Sequence, residues 1–232
     1  MQAIWPFVAA LGAYAVGSLS FAVMVSRVMG LSDPRTFGSK NPGATNVLRS
    51  GSKLAAVVTL LLDAAKGWLP VLLVRLYGKP YGLDEGSVAM VAIAAFAGHV
   101  YPVFFRFQGG KGVATALGVL LGVNPWLGLV ALLVWGFMAA VFRFSSLASI
   151  TAAAIAPMAY LMGDGGLWVA SSPVALSMGV MGLLLWYRHA ANINRLVKGT
   201  EPRLGKKPTQ VGLAHPDKPA KVPRHERADK HK

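Results

Sequence analysis

Glycine, lysine and hydrogen-bonding side chains are concentrated in three short stretches of an otherwise apolar chain. The middle stretch, GHVYPVFFRFQGGKG at residues 98–112, places Lys111 among Gly109, Gly110 and Gly112, directly before an apolar run. Backbone N–H groups bared by glycines, beside a lysine and a helix N-terminus, bind phosphate. Glycine follows Lys111 where a nucleotide-binding loop requires Ser or Thr to hold magnesium. The stretch therefore predicts a phosphate site of another kind.

Two further polar stretches, one before and one after the first, could supply side chains to the same chemistry. They are GSKNPGATNVLRSG at residues 38–51 and YRHAANINRLVKGTE at residues 187–201. Ordinary turn chemistry and a basic helix at the membrane surface are the simpler interpretations of the two. The density of hydrogen-bonding side chains beside small residues instead favours a ligand pocket. Its candidates are Ser39, Asn41, Thr45, Asn46, Arg49, Arg188, His189 and Asn192.

Acidic residues are too few and too dispersed to hold a divalent metal ion. The chain has 9 Asp and Glu residues, and Asp33, Asp63 and Glu201 lie far apart in the sequence. Metal-dependent phosphotransferases require acidic ligands for magnesium. The absence of cysteine also excludes thiolate metal sites and thiolate nucleophiles. We therefore expect anion binding and group transfer without a metal or another cofactor.

The composition is that of an integral membrane protein. Of the 232 residues, 54% are hydrophobic and 14% are charged, and the mean hydropathy is +0.51. In globular proteins about 25% of residues are charged. The formal net charge of +14 lies at the ends of apolar segments and in one tail. This distribution indicates topology signals and contact with anionic lipids, and it argues against nucleic acid as a partner.

Charge placement decides how many apolar segments cross the membrane. Candidate spans cover approximately residues 2–26, 54–77, 87–105, 113–123, 126–142, 147–162 and 167–187. With seven spans and the N-terminus outside, all of the 23 Lys and Arg residues except Lys66, Arg75 and Lys79 fall on the cytoplasmic side. This agrees with the positive-inside rule, and Asn124-Pro125 makes a plausible turn between the fourth and fifth spans.

The predicted fold is therefore an all-α integral membrane protein with seven transmembrane helices and a cytoplasmic C-terminus. The short fourth helix follows the glycine-rich loop, and this places a polar pocket in the cytoplasmic leaflet. Within the second span, Asp63 and Lys66 are expected to pair, because a lone charge there is costly. Residues 1–201 form the membrane domain, and residues 202–232 form a basic cytoplasmic tail whose composition predicts disorder.

The three polar stretches, in this order and at these separations, resemble the signature motifs of the bacterial acyl-phosphate:glycerol-3-phosphate acyltransferases, the PlsY family. DPR at 33–35, DAAKG at 63–67 and SSLASI at 145–150 match further patterns of that family. The resemblance implies an inner-membrane enzyme that transfers a fatty acyl group from acyl phosphate to position 1 of glycerol 3-phosphate. Lysophosphatidic acid and inorganic phosphate are the products, in the first step of bacterial phospholipid synthesis. We expect a monomer that acts at the cytoplasmic face.

The resemblance also implies roles for individual residues. Ser39 and Arg49 match the polar pair of the first motif, His189 and Asn192 match the pair of the third, and Lys111 matches the acyl-phosphate stretch, so these five are expected to be catalytic. The expected substrate-binding residues are Asn41, Thr45, Asn46, Gly109, Gly110, Gly112, Arg188 and Ser146. Asp63, Lys66 and Glu201 are expected to be structural. Lys40 stands where the family often has glycine.

Two questions stay open at the level of sequence. His189 is either the general base for the glycerol hydroxyl or a residue that orients it while the phosphate of the acyl phosphate takes the proton. A small anion transporter could use the same basic, glycine-lined cavity, but it would place polar groups in both leaflets. A nucleotidyl transferase of the membrane would require clustered aspartates for magnesium.

Overall fold

The computed structural model describes residues 2–205. The regular secondary structure of that part of the chain is all helical. It contains no β-strand there, and one isolated bridge joins Asp164 and Trp168. Of the predicted basic tail, residues 206–232 lie outside the described residues. The helices are α1 (Trp5–Gly17), α2 (Phe21–Val28), α3 (Ala44–Leu48), α4 (Lys53–Tyr77), α5 (Glu85–Val100), α6 (Val113–Val123), α7 (Pro125–Phe142), α8 (Ser145–Met162), α9 (Ser172–Arg188) and α10 (Ala190–Val197). Single turns of 3₁₀ helix cover Gln2–Ile4, Lys79–Tyr81 and Val103–Phe105.

Five helical segments within residues 2–205 are long and apolar enough to cross a membrane. They are Trp5–Val28, Lys53–Tyr77, Glu85–Phe105, Pro125–Phe142 and Ser145–Met162. The predicted fourth and seventh spans correspond to α6, which has 11 residues, and α9, which has 17. The all-helical membrane architecture is as predicted, whereas the count of seven spans and their orientation stay predictions.

The first span is interrupted, which the continuous apolar run of residues 2–26 did not predict. Helix α1 ends at Gly17 and α2 begins at Phe21. The interruption leaves the Leu19 carbonyl group outside the helical hydrogen-bond pattern, and Lys66 Nζ on α4 donates to it at 2.6 Å. The same ammonium group lies 2.8 Å from Asp63 Oδ1, with both side chains almost fully buried. The break is thus stabilised by a long-range contact that no local pattern contains.

Helices α4 and α6 pack closely because small residues line their contact. A Cβ atom at Gly118 would overlap the Ala64 carbonyl oxygen, so only glycine allows this approach. Thr115 Oγ1 on α6 donates to the Asp63 carbonyl oxygen at 3.0 Å. These contacts fix the depth of α6, and therefore the position of its N-terminus and of the loop before it.

Helices α6 and α7 are separate, as the Asn124-Pro125 pair predicted. Asn124 ends α6, and its Oδ1 accepts a hydrogen bond from the Trp126 N–H at 2.9 Å, which caps α7. Pro125 occupies the first turn of α7, where a missing N–H group costs nothing. The chain therefore reverses directly after the short helix that follows the glycine-rich loop.

Candidate active site

The first polar stretch folds around the side chain of Asn46, which is only 2% exposed. Its Nδ2 donates to the carbonyl oxygens of Pro34 at 2.7 Å and Phe37 at 3.1 Å. Its Oδ1 accepts from the Ser39 N–H at 3.0 Å. Asn46, which was predicted to bind substrate, makes these hydrogen bonds within the loop. The side chain of Arg49 is exposed, and its Nη1 donates to Asn46 Oδ1 at 3.5 Å.

The other polar residues of this stretch lie on its surface or support its turns. Ser39 and Thr45 are exposed, and Asn41 is partly buried. Lys40 adopts a positive φ of 55°, a left-handed conformation that glycine takes at no steric cost. This backbone geometry gives a physical reason why the family that the motifs resemble often has glycine at the position of Lys40.

The glycine-rich loop is packed against the end of α5. The Gly110 N–H donates to the His99 carbonyl oxygen at 3.1 Å, and a Cβ atom at Gly110 would overlap His99 Nε2. Gly112 has a φ of +87°, and a Cβ atom there would overlap the Phe96 ring. The glycines are therefore required by close protein packing. Within residues 2–205 the N–H groups of Lys111 and Gly112 take no hydrogen-bond partner, so they remain available at the start of α6.

Arg188 holds the glycine-rich loop from the other side. Its Nε donates to the Gly110 carbonyl oxygen at 3.2 Å and its Nη2 donates to the Gly109 carbonyl oxygen at 3.0 Å. Its guanidinium group also lies over the Tyr101 ring. Arg188, which was predicted to bind substrate, thus occupies two carbonyl oxygens of the loop and none of its N–H groups.

His189 lies where α9 ends and α10 begins, and its side chain is buried. Its Nδ1 lies 2.8 Å from the Leu185 carbonyl oxygen. A carbonyl oxygen can only accept, so Nδ1 carries the proton and Nε2 offers a lone pair. Burial, together with the positive charge of Lys111, lowers the pKa of His189 to about 4. The imidazole is therefore neutral at physiological pH.

Glu201 ties the third polar stretch to α8, and its side chain is 6% exposed. Its Oε1 accepts from Ser146 Oγ and from Asn192 Nδ2, each at 2.6 Å, and its Oε2 accepts from Arg195 Nε at 2.7 Å. Burial opposes ionisation, but these three hydrogen bonds outweigh it and lower the pKa of Glu201. Ser146, which was predicted to bind substrate, donates to this carboxylate.

The contact with Glu201 decides which atom Asn192 presents to Lys111. Because Asn192 Nδ2 donates to the carboxylate, Oδ1 faces the other way and accepts from Lys111 Nζ. Burial lowers the pKa of Lys111 to about 8. The Glu201 carboxylate opposes this shift, and the positive charges of Arg195, Arg188 and Arg49 add to it. Lys111 is thus a cation at neutral pH that an anionic ligand would stabilise further.

A buried polar cluster lies behind the glycine-rich loop, between α4 and α5. Asp63 Oδ1 is 2.8 Å from Lys66 Nζ and 3.6 Å from His99 Nδ1. His99 was left outside the predicted site, and Arg195, which contacts Glu201, was left outside it as well. His99 stands in the same stretch as Lys111, and Arg195 stands three residues after Asn192, so their position in the motifs was the available signal.

The fold brings the three polar stretches together. The Gly110 backbone lies against the Pro42 carbonyl oxygen of the first stretch, and Arg188 and Asn192 of the third contact the loop that holds Lys111. The meeting point is the N-terminal end of α6. It combines cations, free backbone N–H groups and a neutral imidazole, which is a set of groups suited to phosphate esters and a hydroxyl nucleophile.

Sequence comparison identifies the group of proteins to which this arrangement belongs. The family model described as glycerol-3-phosphate acyltransferase matches residues 7–199. The chain belongs to this family. A glycerol-3-phosphate acyltransferase of Albidiferax ferrireducens is 67% identical over 207 residues, covering 89% of this chain and 92% of the relative. A glycerol-3-phosphate acyltransferase of Janthinobacterium sp. (strain Marseille) is 58% identical over 198 residues, covering 85% and 96%.

Solved structures of the glycerol-3-phosphate acyltransferase family have the same fold. A crystal structure of PlsY (YgiH), an integral membrane glycerol 3-phosphate acyltransferase in its glycerol 3-phosphate form, matches with a TM-score of 0.79 and 40% identity, covering 86% of this chain and 96% of that one. The form with lysophosphatidic acid matches with a TM-score of 0.75 and 39% identity, covering 86% and 95%. The predicted membership of the PlsY family is confirmed, and the chain is a multi-pass membrane protein.

Proposed function

We propose that this protein transfers a fatty acyl group from acyl phosphate to position 1 of glycerol 3-phosphate. Lysophosphatidic acid and inorganic phosphate are released, which opens bacterial phospholipid synthesis. The observation that carries the proposal is the contact of Lys111 with Asn192 at the start of α6, while Arg188 of the same polar stretch as Asn192 holds the glycine-rich loop. Relatives that bear the name glycerol-3-phosphate acyltransferase support the acceptor.

Two phosphate groups have to be held apart in this reaction, and the pocket offers two kinds of binding group. The free N–H groups of Lys111 and Gly112 and the N-terminal end of α6 suit the phosphoryl group of the acyl phosphate. Arg49 offers a planar pair of donors for the phosphate of glycerol 3-phosphate. Lys111 stands beside the first of these groups and can stabilise negative charge that develops on the acyl carbonyl oxygen.

The reaction needs no covalent enzyme intermediate, because an acyl phosphate is already activated. The glycerol hydroxyl oxygen bonds to the acyl carbon while the bond from that carbon to the phosphate oxygen breaks. The hydroxyl proton goes to the departing phosphate or to His189 Nε2. The pKa of about 4 makes His189 a weak base, which supports its role as an acceptor that orients the hydroxyl group. Ser39 then acts as a hydrogen-bonding positioner.

The proposed enzyme spans the bacterial inner membrane seven times, with its site on the cytoplasmic side, and acts as a monomer. The excess of basic residues in the predicted cytoplasmic segments supports this orientation.

The direct test is turnover by the purified full-length protein in lipid nanodiscs. Palmitoyl phosphate with glycerol 3-phosphate should yield lysophosphatidic acid and an equal amount of inorganic phosphate, with or without EDTA. Palmitoyl-CoA in place of palmitoyl phosphate should yield no product. Turnover of the CoA ester alone would overturn the proposed donor, and a loss of activity on chelation that magnesium restores would overturn the metal-free chemistry.

A further inference from the structure

The chain after α10 turns back and runs antiparallel to the connection between α7 and α8. Arg143 pairs with Leu204, the Arg203 guanidinium group lies over the Phe144 ring, and Ser146 pairs with Glu201. From pair to pair the residue number rises in the α7–α8 connection and falls by the same amount in the segment after α10. The two segments are therefore antiparallel and in one register. We call residues 201–204 the C-terminal strap.

Arg143 fastens the strap with its backbone and with its side chain. The Leu204 N–H donates to the Arg143 carbonyl oxygen at 2.7 Å, and Arg143 Nη2 donates to the Leu204 carbonyl oxygen at 3.1 Å. Arg143 ends α7 in a left-handed conformation with a φ of 62°. This conformation is unusual for a residue with a side chain, and here it aims both the carbonyl and the guanidinium group at the strap.

Helix α10 alone does not determine where Glu201 sits. Helix α10 ends at Val197, and Gly199, with a φ of +67°, turns the chain before Glu201. The Thr200 N–H donates to the Arg195 carbonyl oxygen at 2.8 Å, while the Thr200 side chain is exposed. The carboxylate is held by partners on two elements, Ser146 on α8 and the pair Asn192 and Arg195 on α10. Fastening the strap beyond Glu201 keeps the carboxylate between these elements.

We propose that Arg143 is a positioning residue that acts through the C-terminal strap and Glu201 on the Asn192–Lys111 pair. This inference rests on the proposed acyltransferase function. When Glu201 moves away, Asn192 Nδ2 loses its acceptor, and the amide is held only by the Lys111 ammonium group that it has to position. The Asn192 side chain can then change its conformation, so Lys111 is no longer held in one place at the reacting centre.

The experiment compares Arg143→Gly with Arg106→Gly in the full-length protein. Both arginines adopt a left-handed conformation, with φ of 62° and 54°, so glycine relieves the same backbone restraint at each position. Arg143→Gly should lower kcat about tenfold, the effect of losing one hydrogen bond from a charged group, with little change in KM. Arg106→Gly should keep the wild-type kcat. An Arg143→Gly protein with wild-type kcat would overturn the proposal.

A double mutant tests whether Arg143 acts through Glu201. Glu201→Gln should lower kcat, and adding Arg143→Gly should lower it no further, because both changes release the same carboxylate contact. Losses that multiply in the double mutant would overturn the proposed route. Leu204→Pro removes the N–H group that binds Arg143, whereas Leu204→Ala keeps it, so only the proline variant should reproduce the loss. A proline variant as active as the alanine variant would equally contradict the strap.

Two further readouts separate a positioning role from a loss of fold. The charged groups that act on the pKa of Lys111 are those of Glu201, Arg195, Arg188 and Arg49, and the charge of Lys111 in turn acts on the pKa of His189. Since Glu201 is the anion among them, releasing it should move the alkaline limb of the pH–rate profile to lower pH in Arg143→Gly. An unmoved limb would contradict the proposal.

Hydrogen exchange supplies the readout that does not depend on turnover. Exchange in residues 199–205 should be faster in Arg143→Gly than in Arg106→Gly, and equal rates would refute the strap. If the wild-type protein forms no lysophosphatidic acid, the proposed function fails while this exchange comparison still judges the strap.

Discussion

The substitution Gly110→Ala tests how closely the glycine-rich loop must fit the end of α5. The added methyl group would overlap His99 Nε2 and lie 3.0 Å from both His99 Cε1 and the Pro42 carbonyl oxygen. Carbon atoms in ordinary contact are about 3.5–4.0 Å apart. Either the imidazole ring or the loop therefore has to move by about 1 Å to restore that separation.

The loop is the part expected to move, because His99 is held by its own surroundings. Its side chain is buried beside Asp63, and its carbonyl oxygen already accepts the Gly110 N–H. A displacement of about 1 Å at a catalytic group can cost about 10²-fold in rate. We expect Gly110→Ala to lower kcat/KM by about this factor, chiefly through a higher KM for palmitoyl phosphate, with the KM for glycerol 3-phosphate nearly unchanged.

Steady-state assays in nanodiscs, with each substrate varied in turn, measure these constants. Gly136→Ala on α7 is the matched control, since a Cβ atom there meets nothing within 4 Å, and it should retain wild-type kinetics. The second variant, Gly110→Ala with His99→Ala, removes the obstructing ring and should recover part of the lost activity. Wild-type kinetics in folded Gly110→Ala would refute the reasoning. A rise in the KM for glycerol 3-phosphate alone would mean that the glycine-rich loop binds the phosphate of glycerol 3-phosphate and not that of the acyl phosphate.

Three further outcomes follow from the charges and backbone of the site. Lys111 loses its positive charge as the pH rises through its pKa of about 8, so the KM for the anionic substrates should rise above that pH in the wild type and stay level in Lys111→Arg. His189, with a pKa of about 4, stays neutral between about pH 5 and 8, so a kcat limb in this interval that disappears in His189→Gln would contradict its orienting role. Lys40→Gly should remove about 1 kcal/mol of the free-energy cost of the left-handed backbone conformation. The thermal midpoint of unfolding should therefore rise by about 2–4 °C, and kcat should be unchanged. A lower midpoint would show that the lysine side chain makes a compensating contact.

The sequence predicted the elements of the fold better than the contacts of the site. The start of α6 at Val113, the turn at Asn124 and the long second span all follow from local signals: a glycine run, an Asn-Pro pair and continuous apolar residues. The break at residues 18–20 was missed because its stabilising partner, Lys66, is remote in sequence. Local patterns do not contain such partners.

The division of labour inside the site also depended on remote contacts. Arg188 and Ser146 have residue types suited to binding phosphate, and no local pattern indicated that they would donate to the loop carbonyl groups and to Glu201. Asn192 was predicted as a site residue of the third polar stretch, but the orientation of its amide is set by Glu201. Residue type and spacing thus predicted which residues gather, and hydrogen bonds across the fold decide what each one does.

The break between α1 and α2 bears on the order in which this chain enters the membrane during its synthesis. Before α4 is made, the Leu19 carbonyl oxygen lacks the Lys66 ammonium group and keeps only the Phe21 N–H, at 3.2 Å, as a hydrogen-bond partner. Lys66 and Asp63 would in turn enter as charges unless they arrive paired. The Lys66 ammonium group reaches the Leu19 carbonyl oxygen only when the first two spans lie side by side. We therefore expect these spans to leave the translocon together, and residues 1–52 alone should integrate less efficiently than residues 1–80 in a glycosylation-mapping assay.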